Sequence, residues 1–175
     1  MTSGVIALSG PRACGKSTIA EHLSSTYGYT RIAFADAVRS IARCANPDLR
    51  DDRMFLAELG QALRNCVPEF TILAVEHSLK GMDGPVVIED IRFPSEMEFC
   101  KSIGATKIRL EIDKESQVRR MIERGDDIEK VESLLNCKDE LRLKNTIWDF
   151  TISATGEFKH IATKIHDINR GVESA

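Results

Sequence analysis

The chain has 175 residues, 42% of them hydrophobic, enough for one full core and a single domain of ordinary size. Its 24 basic and 27 acidic residues give a formal charge of -3, which favours solubility and argues against non-specific duplex binding. No stretch approaches the roughly 20 apolar residues of a membrane span, and "MTSGVIALSG" has no basic leader region, so a soluble chain is expected. Cys14, Cys44, Cys66, Cys100 and Cys137 are odd in number and widely spaced, which fits neither a disulfide framework nor a zinc ribbon and points to free thiols in a reducing compartment.

"GVIALSG" reads as a short buried strand and "KSTIAEHLSSTYG" as a helix closed by Gly28. "YTRIAFAD" is a second strand ending at Asp36, and "AVRSIARCA" the helix after it. A turn at "NPDLRDD" leads into "RMFLAELGQALRNC", where Leu56, Leu59 and Leu63 recur at helical spacing. Pro68 interrupts this helix, and "FTILAVEHSLKG" resumes one. "MDGP" is a turn and "VVIED" a compact run expected to be a buried parallel strand. "SEMEFCKSIG" fits a helix, "ATKIRLEI" a strand, "SQVRRMIER" a charged helix, "WDFTISA" a short strand and "EFKHIATKIHDINR" the closing helix. Strands alternating with helices specify an α/β three-layer sandwich with a central parallel sheet, here as one domain over 1–175.

Gly10, Gly15, Lys16 and Ser17 satisfy G-x-x-x-x-G-K-[ST], with Ala13, Cys14 and Thr18 in the same stretch. Glycines let backbone N–H groups converge on phosphate oxygens, Lys16 can reach the β/γ-phosphates, and Ser17 can offer a hydroxyl to Mg²⁺. An apolar strand precedes the loop and a helix follows, so the helix N-terminus adds its own attraction for anions. No N-K-x-D motif of a G-domain switch is present, and the chain is short for a motor. The remaining charged residues favour a small phosphoryl-transfer kinase. Asp36 ends a strand, although it could simply cap the next helix. Asp90 ends "VVIED", in position to bind Mg²⁺ through water or to orient Arg92, and Arg92 is equally readable as an anchoring ion pair. Arg53 either clamps an acceptor phosphate or belongs to the solvated turn "RDDR". Arg64 suits a phosphate as a bidentate guanidinium. Arg120 and Arg124 share a helix face and either that pair or Arg119 supplies a lid cation. Glu58 and Gln61 could read a base edge. His22, His77, His160 and His166 are scattered and make no metal set, and Trp148 reads as core.

The chain resembles the bacteriophage deoxynucleoside monophosphate kinases, with phosphomevalonate kinases as more distant relatives. The resemblance runs through Gly10–Thr18, "FADAVRSIA", "MFLAELGQALR" and "VVIEDIRFPSEMEF", the last carrying D-x-R-F-x-x-E at Asp90, Arg92, Phe93 and Glu96. It implies ATP as donor, Mg²⁺, a (deoxy)nucleoside 5′-monophosphate or similar small acceptor, and a cytoplasmic site of action, the host's cytoplasm for a phage protein. It places Asp36 near the transferring phosphoryl and Arg64 on the acceptor phosphate, with Asp90 and Arg92 bordering the same cleft. Two alternatives stay open: a kinase of a hydroxymethylated pyrimidine, free or in DNA, and a non-catalytic ATP-binding module. A homodimer is also left open. The chain departs from the family at "FTISATGEF", where adenine contacts would be largely backbone, and at "GDDIEKVESLLNCKDELRLKN". The second departure falls inside 113–144, which reads as a lid or insert.

Overall fold

The computed structural model describes residues 4–126, 142–143 and 145–171. Five strands form one sheet: β1 (Val5–Ser9), β2 (Thr30–Ala33), β3 (Val86–Glu89), β4 (Thr106–Glu111) and β5 (Phe150–Ser153), in the spatial order β2-β3-β1-β4-β5. The helices are α1 (Lys16–Tyr27), α2 (Asp36–Ala45), α3 (Arg53–Cys66), α4 (Phe70–Leu79), α5 (Pro94–Ser102), α6 (Lys114–Glu123) and α7 (Phe158–Asn169), with a 3₁₀ turn at Pro47–Asp51. β1 pairs in parallel with β3, Val5 opposite Val86, and with β4, Ile6 opposite Thr106; β4 pairs in parallel with β5, Ile108 opposite Phe150. A central strand covered on both faces must be apolar throughout, and every residue of β1 is buried. The expected α/β architecture, a central parallel sheet flanked by helices, is the one observed.

The chain divides into two compact units. The first runs to Arg31 and resumes at Asp83; it holds β1, α1, β3, β4, β5 and α5 to α7. Its core gathers Ile6, Leu8, Ile19, Leu23, Ile108, Leu110, Ile161 and Ile165, all buried, between the sheet and the α1–α7 layer. α1 stops at Gly28, whose left-handed φ of 72° lets its own N–H reach the Ser24 carbonyl at 3.1 Å and the Tyr29 N–H reach that of Leu23 at 3.3 Å. Tyr27 stacks on His166 at 4.0 Å and Tyr29 accepts a hydrogen bond from Asn169 at 2.9 Å, which pins the end of α1 to α7. α5 begins with Pro94, and the buried Glu96 carboxylate accepts the N–H groups of Arg92 and Phe93 at 2.8 and 3.2 Å. α6 is capped by Asp113, which accepts from the Ser116 N–H at 2.7 Å. Hydrogen bonds from the Ser116 N–H and from its side chain hold the Asp113 carboxyl below its usual range.

The second unit, Ile32–Met82, holds α2, α3 and α4. α2 buries Val38 and Ala42, and α4 buries Thr71 and Val75. α3 starts at Asp52, whose side chain accepts from the Phe55 N–H at 3.0 Å, and ends before Pro68 as the sequence predicts. Trp148, expected in the core, is instead half-buried beside Arg109, with the guanidinium 5.7 Å from the ring centroid. Among the described residues no helix is long and apolar enough to cross a membrane. Most of the lid segment, 127–141 with 144, lies outside the described residues.

Candidate phosphate-binding site

β1 delivers the chain to Gly10, and α1 begins at Lys16 immediately after Gly15. The two glycines between them have no room for a side chain. A Cβ on Gly10 would stand 2.7 Å from the Leu110 carbonyl oxygen, and one on Gly15 would stand 2.3 Å from Cε1 of Phe158. Gly15 also has φ 95°, and Ala13 sits at φ 59° despite carrying a Cβ. A non-glycine residue held in that region marks a loop whose shape its surroundings enforce. Cys14 is fully buried beneath the loop and its N–H donates to the Pro11 carbonyl at 3.3 Å. The Lys16 ammonium donates to the Gly10 and Pro11 carbonyls at 2.7 and 2.9 Å, which keeps the charge on the loop. The first N–H groups of α1 have no partners within the helix, so the loop ends on a cluster of donors at the positive end of a helix dipole.

β3 supplies the carboxylate. Ser17 donates to Oε2 of Glu89 at 3.2 Å, and Arg31 pairs with Oε1 of the same group. Glu89 is fully buried, and burial pushes its pKa up while the Arg31 guanidinium pulls it back. The motif spacing puts Ser17 and Asp90 on the metal side; the side chain that Ser17 meets is Glu89, one position earlier. Asp90 adopts φ 61°, a left-handed backbone, and stands 3.9 Å from Arg92. A strand reverses the direction of successive side chains, so one residue of offset changes which carboxylate faces the loop.

α6 grips the loop from the side. Gln117 donates to the Arg12 carbonyl at 2.9 Å; Arg120 donates to the Cys14 carbonyl at 3.2 Å and the Ala154 carbonyl at 2.7 Å. The Arg120 guanidinium also lies 4.7 Å from the centroid of Phe158, the ring that packs on Gly15. Arg124, one turn on, pairs with Asp126, and Arg119 is exposed. Of the three arginines, Arg120 is the one the structure brings to the loop.

In the second unit, Asp36 is the first residue of α2 and not its cap. Its Oδ2 accepts the Ala33 N–H at 2.8 Å and its Oδ1 stands 3.4 Å from Arg39. The Arg64 guanidinium folds back over Gly60, where an added Cβ would come 3.4 Å from its Nη1. The Arg64 guanidinium thus covers the backbone at Gly60. Gln61 donates to Asn65 at 2.9 Å on the outer surface of α3. Arg53 begins α3, and its side chain lies outside the described residues.

The donor set fits Mg²⁺. That ion is ordinarily bound by a carboxylate or two together with a hydroxyl and substrate phosphates, not by an all-protein cage. No group of three or more His, Cys, Asp or Glu side chains at metal-binding separation occurs among the described residues. Ser17 and Glu89 supply one hydroxyl and one carboxylate, and Oε1 of Glu89, although paired with Arg31, is buried without a hydrogen bond among those residues.

No protein-family model matches the sequence, and no curated protein matches it at a significant level. Solved structures do. A Thermus thermophilus protein superposes with a TM-score of 0.67 at 19% identity, covering 99% of this chain and 100% of that one. Shikimate kinase from Acinetobacter baumannii, solved with shikimate, gives 0.63 at 19% identity over 98% and 96% of the two chains. The fold is that of the P-loop kinases. A gluconokinase from Sinorhizobium meliloti agrees, with a TM-score of 0.60 at 18% identity over 98% and 94%. For this P-loop kinase fold, the glycine loop, the buried acid on β3 and the α6 arginine are features of the chain's own residues. Glu89, Arg31 and Gln117 were missed in the sequence. The one signal for Glu89 was an acid closing an otherwise apolar strand.

Proposed function

We propose that the chain transfers the γ-phosphoryl group of ATP to a (deoxy)nucleoside 5′-monophosphate, giving the diphosphate and ADP. The observation that carries the reading is the hydrogen bond from Ser17, the last residue of the loop motif, to the buried Glu89 carboxylate. A phosphate cradle alone would serve any anion. A hydroxyl and a carboxylate at its foot are the protein half of a Mg²⁺–nucleotide site. When bound, the metal neutralises charge on the β- and γ-phosphate oxygens. The loop N–H groups and Lys16 hold those phosphates. Arg120, already fixed beside the loop, is the cation for charge that grows in the transition state. The acceptor oxygen attacks Pγ as its bond to the ADP oxygen breaks, and both need to be in line.

In this reading Asp36 and Arg64 handle the acceptor, the carboxylate acting on the attacking oxygen and the guanidinium on the acceptor phosphate. The polar side chains of α3 and the D-x-R-F-x-x-E resemblance support a nucleotide over an apolar alcohol. ATP consumption should be screened against the common monophosphates, hydroxymethylated pyrimidine nucleotides, phosphomevalonate, and single- and double-stranded DNA carrying modified bases. Turnover with one or a few monophosphates is the expected result. Transfer only to a DNA hydroxymethyl group would overturn the free-nucleotide reading and keep the kinase. Tight ATP binding with no transfer to any acceptor would leave a binding module.

A further inference from the structure

Glu89 closes β3 with no exposed surface, among Val86, Val87 and Ile88, which are equally buried. A carboxylate taken out of water needs donors or a cation, and removing one partner of such a pair leaves a charge stranded. Ser17 occupies Oε2 and Arg31 stands at Oε1. Arg31 comes from β2, the strand next to β3, and the Thr30 N–H donates to the Pro85 carbonyl at 2.9 Å, which fixes that neighbour. Its side chain keeps 31% of its surface exposed, against 1% for Glu89. The carboxylate therefore already carries one cation at the atom opposite Ser17. A divalent cation brought by a nucleotide would be the second, and like charges on one acceptor repel.

We propose that Arg31 is a resident counter-ion of Glu89 that the divalent cation replaces. Without nucleotide, Arg31 balances the buried charge and turns the carboxylate so that Oε2 faces Ser17. When Mg²⁺ arrives with ATP, the guanidinium gives up its hold, so Arg31 sets how much divalent cation the site needs. The inference rests on the reading of Ser17 and Glu89 as the metal side of an ATP site. It makes Arg31 a positioning residue, acting on the reaction only through Glu89.

Thermal melting of four proteins tests it: wild type, Arg31→Met, Glu89→Gln and the double variant. With chelator and no nucleotide, Arg31→Met is expected to melt about 5–10 °C below wild type, and Glu89→Gln added to it should restore most of that loss. In the presence of a non-hydrolysable ATP analogue, Mg²⁺ is then titrated and the rise in Tm followed. The midpoint for Arg31→Met should fall at least about threefold below that of wild type, because the competing cation is gone. An unchanged midpoint, or the same destabilisation by Arg31→Met in the Glu89→Gln background, overturns the proposal and leaves an ordinary structural ion pair. Should Arg31→Met fail to fold, Arg31→Gln carries the titration: it removes the charge but keeps a polar donor beside Glu89, so a lowered midpoint is again expected and an unchanged one overturns the idea. Wild type that transfers phosphoryl while the variant midpoint stays put sinks this inference alone. A lowered midpoint in a chain that consumes no ATP sinks the kinase reading and leaves the role of Arg31 standing.

Discussion

Replacing Gly15 by alanine perturbs the loop, the α6 arginine and the last helix together. The new methyl would stand 2.3 Å from Cε1, 2.9 Å from Cζ and 3.0 Å from Cδ1 of Phe158, at a backbone φ of 95°. Relief to ordinary contact needs the ring to move by roughly 1 Å, yet Arg120 holds its guanidinium 4.7 Å from that ring and donates to two carbonyls. Overpacking of this kind costs about 1–3 kcal/mol, and the left-handed backbone adds roughly 1–2 kcal/mol for alanine. For a chain of this size each kcal/mol lowers Tm by about 2–4 °C, so a fall of roughly 5–15 °C is expected. Differential scanning fluorimetry of Gly15→Ala, Phe158→Ala and the double variant measures it. Removing the ring should cancel the steric part, making the double variant more stable than the sum of the two losses predicts. Gly15→Ala melting within a degree of wild type, or strict additivity, would refute the packing argument.

Lys16→Ala should keep the fold and lose phosphoryl transfer, a deficit on the order of 3 kcal/mol or more by analogy with single-donor deletions; a folded variant above a tenth of wild-type kcat contradicts its role. Asp36→Asn keeps an acceptor for the Ala33 N–H, so stability should change by less than about 1 kcal/mol while kcat falls strongly; intact turnover would return Asp36 to a structural role. Arg120→Ala should lower kcat by roughly 10³-fold and Arg124→Ala, whose charge is tied to Asp126, only marginally; the reverse order in steady-state assays would move the catalytic cation to Arg124. Burial raises the Glu89 pKa above its ordinary 4.5, so the native chain binds the proton more tightly than the unfolded chain and stability falls as pH rises from 4.5 through the folded value. Glu89→Gln should abolish that part of the Tm–pH profile, which pH-dependent melting with chelator present will show or deny.

The element order was legible because the apolar runs are short and punctuated: "VIALS" and "VVIE" could be little else than buried parallel strands, and α3 runs from Arg53 to Cys66 as its leucine spacing predicts. The loop was legible because its motif depends on consecutive residues. Glu89 was not, since choosing between adjacent carboxylates needs the pleat of β3 and the left-handed turn at Asp90, and neither is written in residue type. The choice of Arg120 over Arg124 is likewise a long-range fact, made by the carbonyls of Cys14 and Ala154 and the ring of Phe158. Asp36 shows a local ambiguity: the residue types of a capping aspartate and of a first-turn aspartate are identical, and only the Ala33 N–H separates them.

The sheet order also governs how the protein can be made. β1 leaves the ribosome first, yet its partners β3 and β4 follow about 80 and 100 residues later, so the loop motif has no frame until most of the chain has been synthesised. Closing such long loops is entropically slow, and an early fragment carries Ser17 without the buried acid it hydrogen-bonds. Truncated or stalled chains should therefore be unable to hold nucleotide, and ligand present during refolding can reward only the last stage of assembly. On the proposed reading, competence to bind nucleotide would arrive only with the last stage of assembly, when β3 and β4 frame the loop.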